Sequence, residues 1–224
     1  ECQLKISVSP VEISPYYITA YYNKLLCHIN IQMSLSHLQS NIHQVHYGSN
    51  SERAAAQVQL SHYEQQAAPH DIFNLIRLAG ADPHVLAFLL SVLEKILLDR
   101  AETLQPAERQ ELRNFVLQFA VAAERAHAID RFLLNKAGKI IVDCAKLDWP
   151  TYYPNFFEQV LQLCADVTLR PLGIRMLVTA LEELPSRNSR RGRDIPLTND
   201  RRIELQKGIA LHLCQIVPTI TSIL

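Results

Sequence analysis

The stretch Asn135–Leu163, NKAGKIIVDCAKLDWPTYYPNFFEQVLQL, decides the fold of this chain. It contains two apolar stripes at helical spacing, separated by the triplet Asp148-Trp149-Pro150. A capping carboxylate close to a proline is a helix-start signal, because the N–H that proline lacks has no intrahelical partner at the first helical position. The stretch therefore predicts two helices joined by a short turn, and a short connection makes neighbouring helices pack antiparallel.

The same signal recurs on the N-terminal side of this stretch. Asp82-Pro83 and Gln105-Pro106 are each predicted to open a helix, the second with Glu108 in a first turn where the helix dipole favours negative charge. Pro218 is expected to kink or end the last helix. The predicted helices run approximately over Asn50–Gln66, Pro69–Ala79, Pro83–Arg100, Pro106–Arg125, Ala128–Leu147, Pro150–Ala165, Pro171–Leu184 and Asp200–Leu224.

Paired in order, these helices repeat about every 40 to 45 residues, the period of HEAT-type repeats. The predicted fold is an all-α, right-handed α-solenoid of antiparallel helix pairs over residues 31–224. Residues 31–46 are predicted to add one more helix, with Leu35, Leu38, Ile42 and Val45 on one side. Residues 1–30 show no clear period and are expected to be irregular. Residues 185–202, rich in arginine and without an apolar stripe, are expected to form an exposed loop.

Composition narrows the classes of function. Lys plus Arg equals Asp plus Glu at 22 each, so no overall field favours nucleic acid or an anionic membrane. The most apolar run, Val85–Leu98, is interrupted by charged residues and is too short to span a bilayer. Five dispersed cysteines without a C-x-x-C pair indicate a reducing compartment. The start at Glu1, without methionine or a leader, suggests a segment of a longer protein.

Catalytic and metal signatures give no support for an enzyme. His37, His43 and His46 lie close in sequence, with His28 nearby, but no cysteine or carboxylate completes a ligand set, so a solvated polar face is favoured over a metal site. The chain contains no G-x-S-x-G, no phosphate-binding G-x-x-x-x-G-K-[ST] and no G-x-G-x-x-G. We therefore expect no catalytic residues and no cofactor.

Polar stripes on two predicted helices are more informative. Ser91, Lys95 and Asp99 share one helix face, with Glu94 beside them. On the helix that follows Ile129, a second stripe is spaced in the same way and comprises Asn135, Lys139, Asp143 and Lys146. In a solenoid such stripes line a continuous surface on which partners bind, although an idle solvated face is the alternative for any single residue. For the arginine-rich loop, a solvated linker is favoured over an anion-binding or nuclear-localisation segment.

The run Asn135–Leu163 closely resembles the exportin-1-like region of the importin-β superfamily, in which a D-W-P-x-x-(Y/W)-P-x-F junction joins one HEAT repeat to the next. The junction residues here are Trp149, Pro150, Pro154 and Phe156. Ser49–Gln66 and Asp82–Leu97 are similar to the family's first and second repeats, and Pro171–Pro185 is similar to the repeat after the junction. The resemblance covers residues 49–224.

This resemblance implies a nuclear export receptor that binds the small GTPase Ran in its GTP form through the second helices of its first repeats. The implied Ran-facing residues are Ser91, Glu94, Lys95, Asp99, Asn135, Lys139 and Asp143. Other implied partners are nucleoporins and protein cargo, with actin–profilin as a candidate, and the implied location is nucleus and cytoplasm, with shuttling through nuclear pores. Neither nucleic acid nor membrane is expected as a direct partner. The alternatives are an importin of the same superfamily and a cytoplasmic HEAT scaffold unrelated to Ran.

Overall fold

The computed structural model describes residues 35–185, 195 and 197–223. The predicted irregular segment 1–30 lies outside the described residues, as does most of the predicted arginine-rich loop. Within the described ranges no residue is in a strand, and the all-α prediction is confirmed. The helices are α1 (residues 35–47), α2 (Asn50–Gln66), α3 (Pro69–Leu78), α4 (Pro83–Asp99), α5 (Pro106–Ala126), α6 (Arg131–Asp148), α7 (Phe156–Ala165), α8 (Arg170–Glu183) and α9 (Asn199–Ile223).

Two of the predicted helix starts are confirmed at atomic detail. The Asp82 carboxylate caps α4 by accepting from the backbone N–H groups of His84, at 3.0 Å, and Val85, at 3.2 Å. At α5 the Glu108 carboxylate accepts from the Gln105 N–H at 2.8 Å, and Pro106 occupies the first turn. These contacts satisfy donors that a helix start otherwise leaves without partners.

The third predicted start is wrong. Helix α7 begins at Phe156, not at Pro150, and residues 150–155 form turns instead. The reason is Asp148, which is the last residue of α6. Its carboxylate binds two arginine side chains of α5 and therefore does not cap a new helix. Pro218 also does not end the last helix, since α9 continues through it to Ile223.

The helices form two layers of the HEAT type. α3 packs on α4, α5 on α6, and α7 on α8, and each pair is joined by a short connection, at residues 79–82, 127–130 and 166–169. The second helices of the pairs also pack side by side, α4 on α6 and α6 on α8. We call α4, α6 and α8 the second-helix layer. The antiparallel packing predicted between α6 and α7 is not the main contact of either helix, because α6 packs on α5, α4 and α8, and α7 packs on α8 and α9.

One apolar core runs through both layers, from Leu38 of α1 to Ile216 of α9. Val92 and Ile140, which face the core on the predicted apolar stripes, are fully buried. Leu38 and Ile42 show that the helix predicted at residues 31–46 contributes to this core. Among the helices of the described ranges, none combines the length and apolar character needed to cross a membrane.

Candidate protein-binding site on the second-helix layer

Helix α4 presents the first of the two predicted polar stripes, and two of its members are exposed. Lys95 and Asp99 lie on the surface, and the Lys95 ammonium is 2.9 Å from a carboxylate oxygen of Glu64 on α2. Ser91 is half-buried, and its hydroxyl donates to the Ala87 carbonyl oxygen of the same helix at 2.7 Å. Within this stripe, the side chains most open to a partner are therefore Lys95 and Asp99, near the C-terminal end of α4.

The stripe predicted on α6 is only partly on the surface. Asn135 is exposed, and Lys139 is about one-fifth exposed, but Asp143 and Lys146 are buried. The prediction of a solvated face along the whole of α6 is wrong for its C-terminal half. The physical reason is that α6 is the middle helix of the second-helix layer and is covered on both flanks as well as by α5.

Where the stripe is buried, its charges pair with carboxylates from the flanking helices. We call this group the interhelix ion cluster. Its members are Glu94 of α4, Lys136, Lys139, Asp143 and Lys146 of α6, and Glu183 of α8.

The distances place both flanking helices in contact with α6. Lys136 Nζ lies 2.5 Å from Glu94 Oε2, and Lys146 Nζ lies 2.6 Å from Glu183 Oε2. Lys139 is between them, 2.8 Å from Asp143 Oδ2, 3.8 Å from Glu183 Oε2 and 4.0 Å from Glu94 Oε1. Three ammonium groups thus face three carboxylates, and the cluster is neutral when all six are ionised.

Asp143 is the deepest member of this cluster. Burial raises the pKa of its carboxyl above the ordinary value, while the adjacent Lys146 and Lys139 ammonium groups act in the opposite direction. The Asp143 Oδ1 atom is 3.0 Å from Lys146 Nζ. Because both lysines lie on α6 itself, the Asp143 carboxylate is stabilised from within α6, while Glu94 and Glu183 join the same lysines to the flanking helices.

A second buried ion group, which sequence reasoning missed, surrounds Asp148. Arg109 Nη2 lies 2.7 Å from Asp148 Oδ1, and Arg113 Nη1 lies 3.1 Å from Asp148 Oδ2, with all three side chains almost fully buried. Arg113 also donates to the Tyr152 carbonyl oxygen at 3.0 Å and stacks over the Tyr153 ring. These contacts fix the junction after α6 onto α5. The available signal was a pair of arginines spaced i, i+4 on α5, with an aspartate at the end of α6.

Trp149 gives the junction its apolar anchor. Its indole is fully buried and meets the rings of Phe157 and His212 edge-on, with centroids 5.1 Å and 5.4 Å away. The indole also packs directly on Gly208 of α9, where a Cβ atom would overlap the ring. Phe156, the last residue of the junction signature, is also buried. The two prolines, Pro150 and Pro154, are exposed in the turns, and the Trp149–Pro150 peptide bond is cis.

Arg201 belongs to helix α9, and not to the solvated loop predicted over residues 185–202. Its guanidinium donates to the Lys146 carbonyl oxygen at 3.1 Å and also to the Trp149 carbonyl oxygen. Carbonyl groups at the end of a helix lack intrahelical partners, so Arg201 satisfies the C-terminal end of α6. This arginine ties the first turn of α9 to the junction.

Burial also affects the reactivity of the side chains around α6. Burial raises the pKa of the Cys144 thiol, so its reactive thiolate form is disfavoured. Within the described residues, no group of three His, Cys, Asp or Glu side chains could hold a metal ion. The exposed polar side chains of the second-helix layer remain the candidate site, since solenoid proteins commonly bind partners through such surfaces.

Comparison with known proteins gives one family match and several relatives. The family model described as "Exportin 1-like protein" matches residues 130–224. Exportin-6-A of Xenopus laevis is 29% identical over 180 residues, which are 80% of this chain and 15% of that protein. Exportin-6 of Homo sapiens is 28% identical over 141 residues, and Exportin-6 of Danio rerio is 31% identical over 142 residues. Each of these two alignments covers 63% of this chain and 12% of the relative, so the chain spans only a small part of their length.

Proposed function

We propose that the second-helix layer of this chain, which is similar to exportin-1-like proteins over residues 130–224 and to Exportin-6-A over 80% of its length, binds Ran in the GTP form during nuclear export of protein cargo. The family consists of transport receptors and not of enzymes. The observation that carries the proposal is the side-by-side packing of α4, α6 and α8, which leaves Lys95, Asp99 and Asn135 exposed on the same layer. Glu94 and Lys139 add partly exposed charge beside them.

These side chains fit recognition of a charged protein surface. The exposed surface of the layer carries one cation, Lys95, one anion, Asp99, and one amide, Asn135. Charges on such a surface would contribute more to the specificity and the rate of association with a partner than to the affinity. Ser91 and Asp143 complete the proposed Ran-facing set, but Ser91 is half-buried with its hydroxyl bonded to the α4 backbone, and Asp143 is buried. Their part would be to hold the exposed residues in place.

Reversal of charge at Lys95 tests the site directly. Lys95→Glu should weaken binding of Ran loaded with a non-hydrolysable GTP analogue, because it reverses an exposed charge on the proposed contact surface. The matched control is Lys207→Glu on α9, which is exposed and lies outside the second-helix layer. Calorimetric titration measures the affinities of the unmodified chain, Lys95→Glu and Lys207→Glu. A scaffold unrelated to Ran predicts no effect of any of these changes.

The direction of transport has its own test. Ran-GTP and an export cargo each stabilise the same state of the receptor, so each should strengthen binding of the other, by about 1 to 3 kcal/mol for a typical coupling. We propose actin–profilin as the cargo and nucleoporins as further partners, with shuttling between nucleus and cytoplasm. Capture of actin–profilin by a receptor containing this segment should rise when Ran-GTP is added. Release of cargo by Ran-GTP would instead identify an importin.

A further inference from the structure

The second-helix layer needs something beyond apolar contact to fix how its helices sit against one another. Burial of apolar surface is non-directional and is almost equally favourable over a range of small displacements. Charge pairs are different, because an ion removed from water and then separated from its partner is strongly unfavourable. The positions at which buried or half-buried ions bridge two helices therefore constrain their relative placement most tightly.

The interhelix ion cluster bridges all three helices of the layer. Helix α6 supplies the three lysines, while one carboxylate comes from α4, one from α6 and one from α8. Lys139 lies within 4.0 Å of all three carboxylates and so belongs to both sides at once. The members deepest in the protein, Asp143 and Lys146, are only 1% and 2% exposed. A shift of α8 away from α6 would separate the almost fully buried Lys146 ammonium from the Glu183 carboxylate.

We propose that the interhelix ion cluster is a joint that sets the position of α4 and α8 relative to α6, and through it the spacing of the exposed side chains on the layer. The Lys136–Glu94 pair holds one flank and the Lys146–Glu183 pair holds the other. Neutralising either pair lets that flank move while the apolar core keeps each helix pair folded. The effect of the cluster on partner binding rests on the proposed function. Its role in positioning α4 and α8 relative to α6 does not.

The experiment measures the distance across the layer. Spin labels are placed at Asp99 of α4 and Val178 of α8, which are exposed. Cys2, Cys27 and Cys214 are replaced by serine, while the buried Cys144 and Cys164 are kept. The distance distribution is recorded by double electron–electron resonance in this parent and with Glu183→Gln or Lys136→Gln added. The matched control is Glu64→Gln, which breaks the Lys95–Glu64 pair outside the cluster.

Each cluster variant should shift or broaden the distribution, while Glu64→Gln leaves it unchanged. Glu183 is 29% exposed and its replacement by glutamine keeps its size, so the variant should retain the circular dichroism of the parent. Glu183→Asp, which keeps the charge on a shorter side chain, gives a second test of the same flank. Distributions identical to that of the parent in all cluster variants would overturn the joint.

Titration with Ran-GTP, on protein without labels, separates this inference from the proposed function. A joint that positions the binding surface predicts a loss of affinity of about fivefold or more in Glu183→Gln, the lower end of usual coupling between sites. A shifted distance with unchanged affinity would support the joint and overturn its link to Ran. If the parent itself does not bind Ran-GTP, the proposed function fails, while the distance measurement still decides the joint.

Discussion

Arg109 on α5 and Asp148 at the end of α6 form a buried ion pair across 39 positions of sequence, with Arg109 Nε 2.8 Å from Asp148 Oδ1. The same guanidinium donates to the Leu104 carbonyl oxygen, so it also holds the connection that precedes α5. Asp148 in turn accepts from Arg113. One carboxylate therefore fixes the second helix of one repeat to its first helix at the point where the chain leaves for the next repeat.

Removal of the Asp148 charge should lower the free energy of unfolding. Asp148→Asn leaves two buried guanidinium groups without their counter-ion, and breaking a buried pair in this way typically lowers the free energy of unfolding by about 3 to 5 kcal/mol. Urea unfolding followed by circular dichroism measures the change. Glu64→Gln is the control, since its partner Lys95 is exposed and such pairs contribute about 1 kcal/mol or less. Equal effects of the two substitutions would show that the Asp148 cluster does not stabilise the junction.

The contact between Trp149 and Gly208 predicts that replacing this helical glycine by alanine destabilises the protein, the opposite of the usual effect. Alanine for glycine within a helix normally stabilises by about 1 kcal/mol. At Gly208 the added methyl group would overlap the buried indole, and overpacking of this kind costs about 1 to 3 kcal/mol. Gly208→Ala should therefore lower the melting temperature. Lys207→Ala, one position away on the exposed side, should leave it nearly unchanged. A stabilised Gly208→Ala variant would contradict the packing of α9 on the junction.

The buried carboxyl of Asp143 predicts a pH dependence. Because burial raises its pKa in the folded protein, the folded state binds its proton more tightly than the unfolded state does. The associated stability is fully present below the ordinary pKa and is lost as the pH rises through the raised, folded-state value. Asp143→Asn should remove this part of the decline in the free energy of unfolding, measured by urea titration from about pH 3 to pH 7.

The groups around Asp143 are the same in wild type and in Asp143→Asn. Lys139 and Lys146 contact the Asp143 carboxyl, and Glu183 pairs with both lysines. Asp99→Asn, on the exposed end of α4, provides the control and should keep the wild-type slope. If Asp143→Asn and wild type decline in parallel across the acidic range, the raised pKa is not linked to folding.

Local sequence signals predicted the helices well, because their physical causes lie within a few residues. Asp82 and Glu108 bind backbone groups two or three positions away, so the starts of α4 and α5 could be predicted from the sequence. The start at Pro150 could not be predicted correctly, since Asp148 binds arginines that lie 35 and 39 positions earlier. Asp82 and Asp148 each lie one or two positions before a proline, so the local sequence does not distinguish a helix cap from a long-range ion pair.

The candidate site shows the same division. Helical spacing correctly placed Asn135 and Lys139 on one side of α6, but it could not show that α8 covers the continuation of that side at Asp143. The available signal was Asp143 itself, a charge between Val142 and Cys144 in an apolar run, which indicates a buried ion with a partner elsewhere. The resemblance to exportins, predicted from the junction around Trp149, is confirmed by the family match over residues 130–224 and by the similarity to exportin relatives.

The nucleotide dependence of Ran binding tests the central claim most directly. The purified chain is titrated by calorimetry with Ran loaded with a non-hydrolysable GTP analogue and, separately, with Ran loaded with GDP. Our account predicts measurable binding of the GTP form that is at least tenfold tighter than that of the GDP form, a difference of about 1.4 kcal/mol or more. Equal affinity for the two forms, or no binding of either, would contradict it.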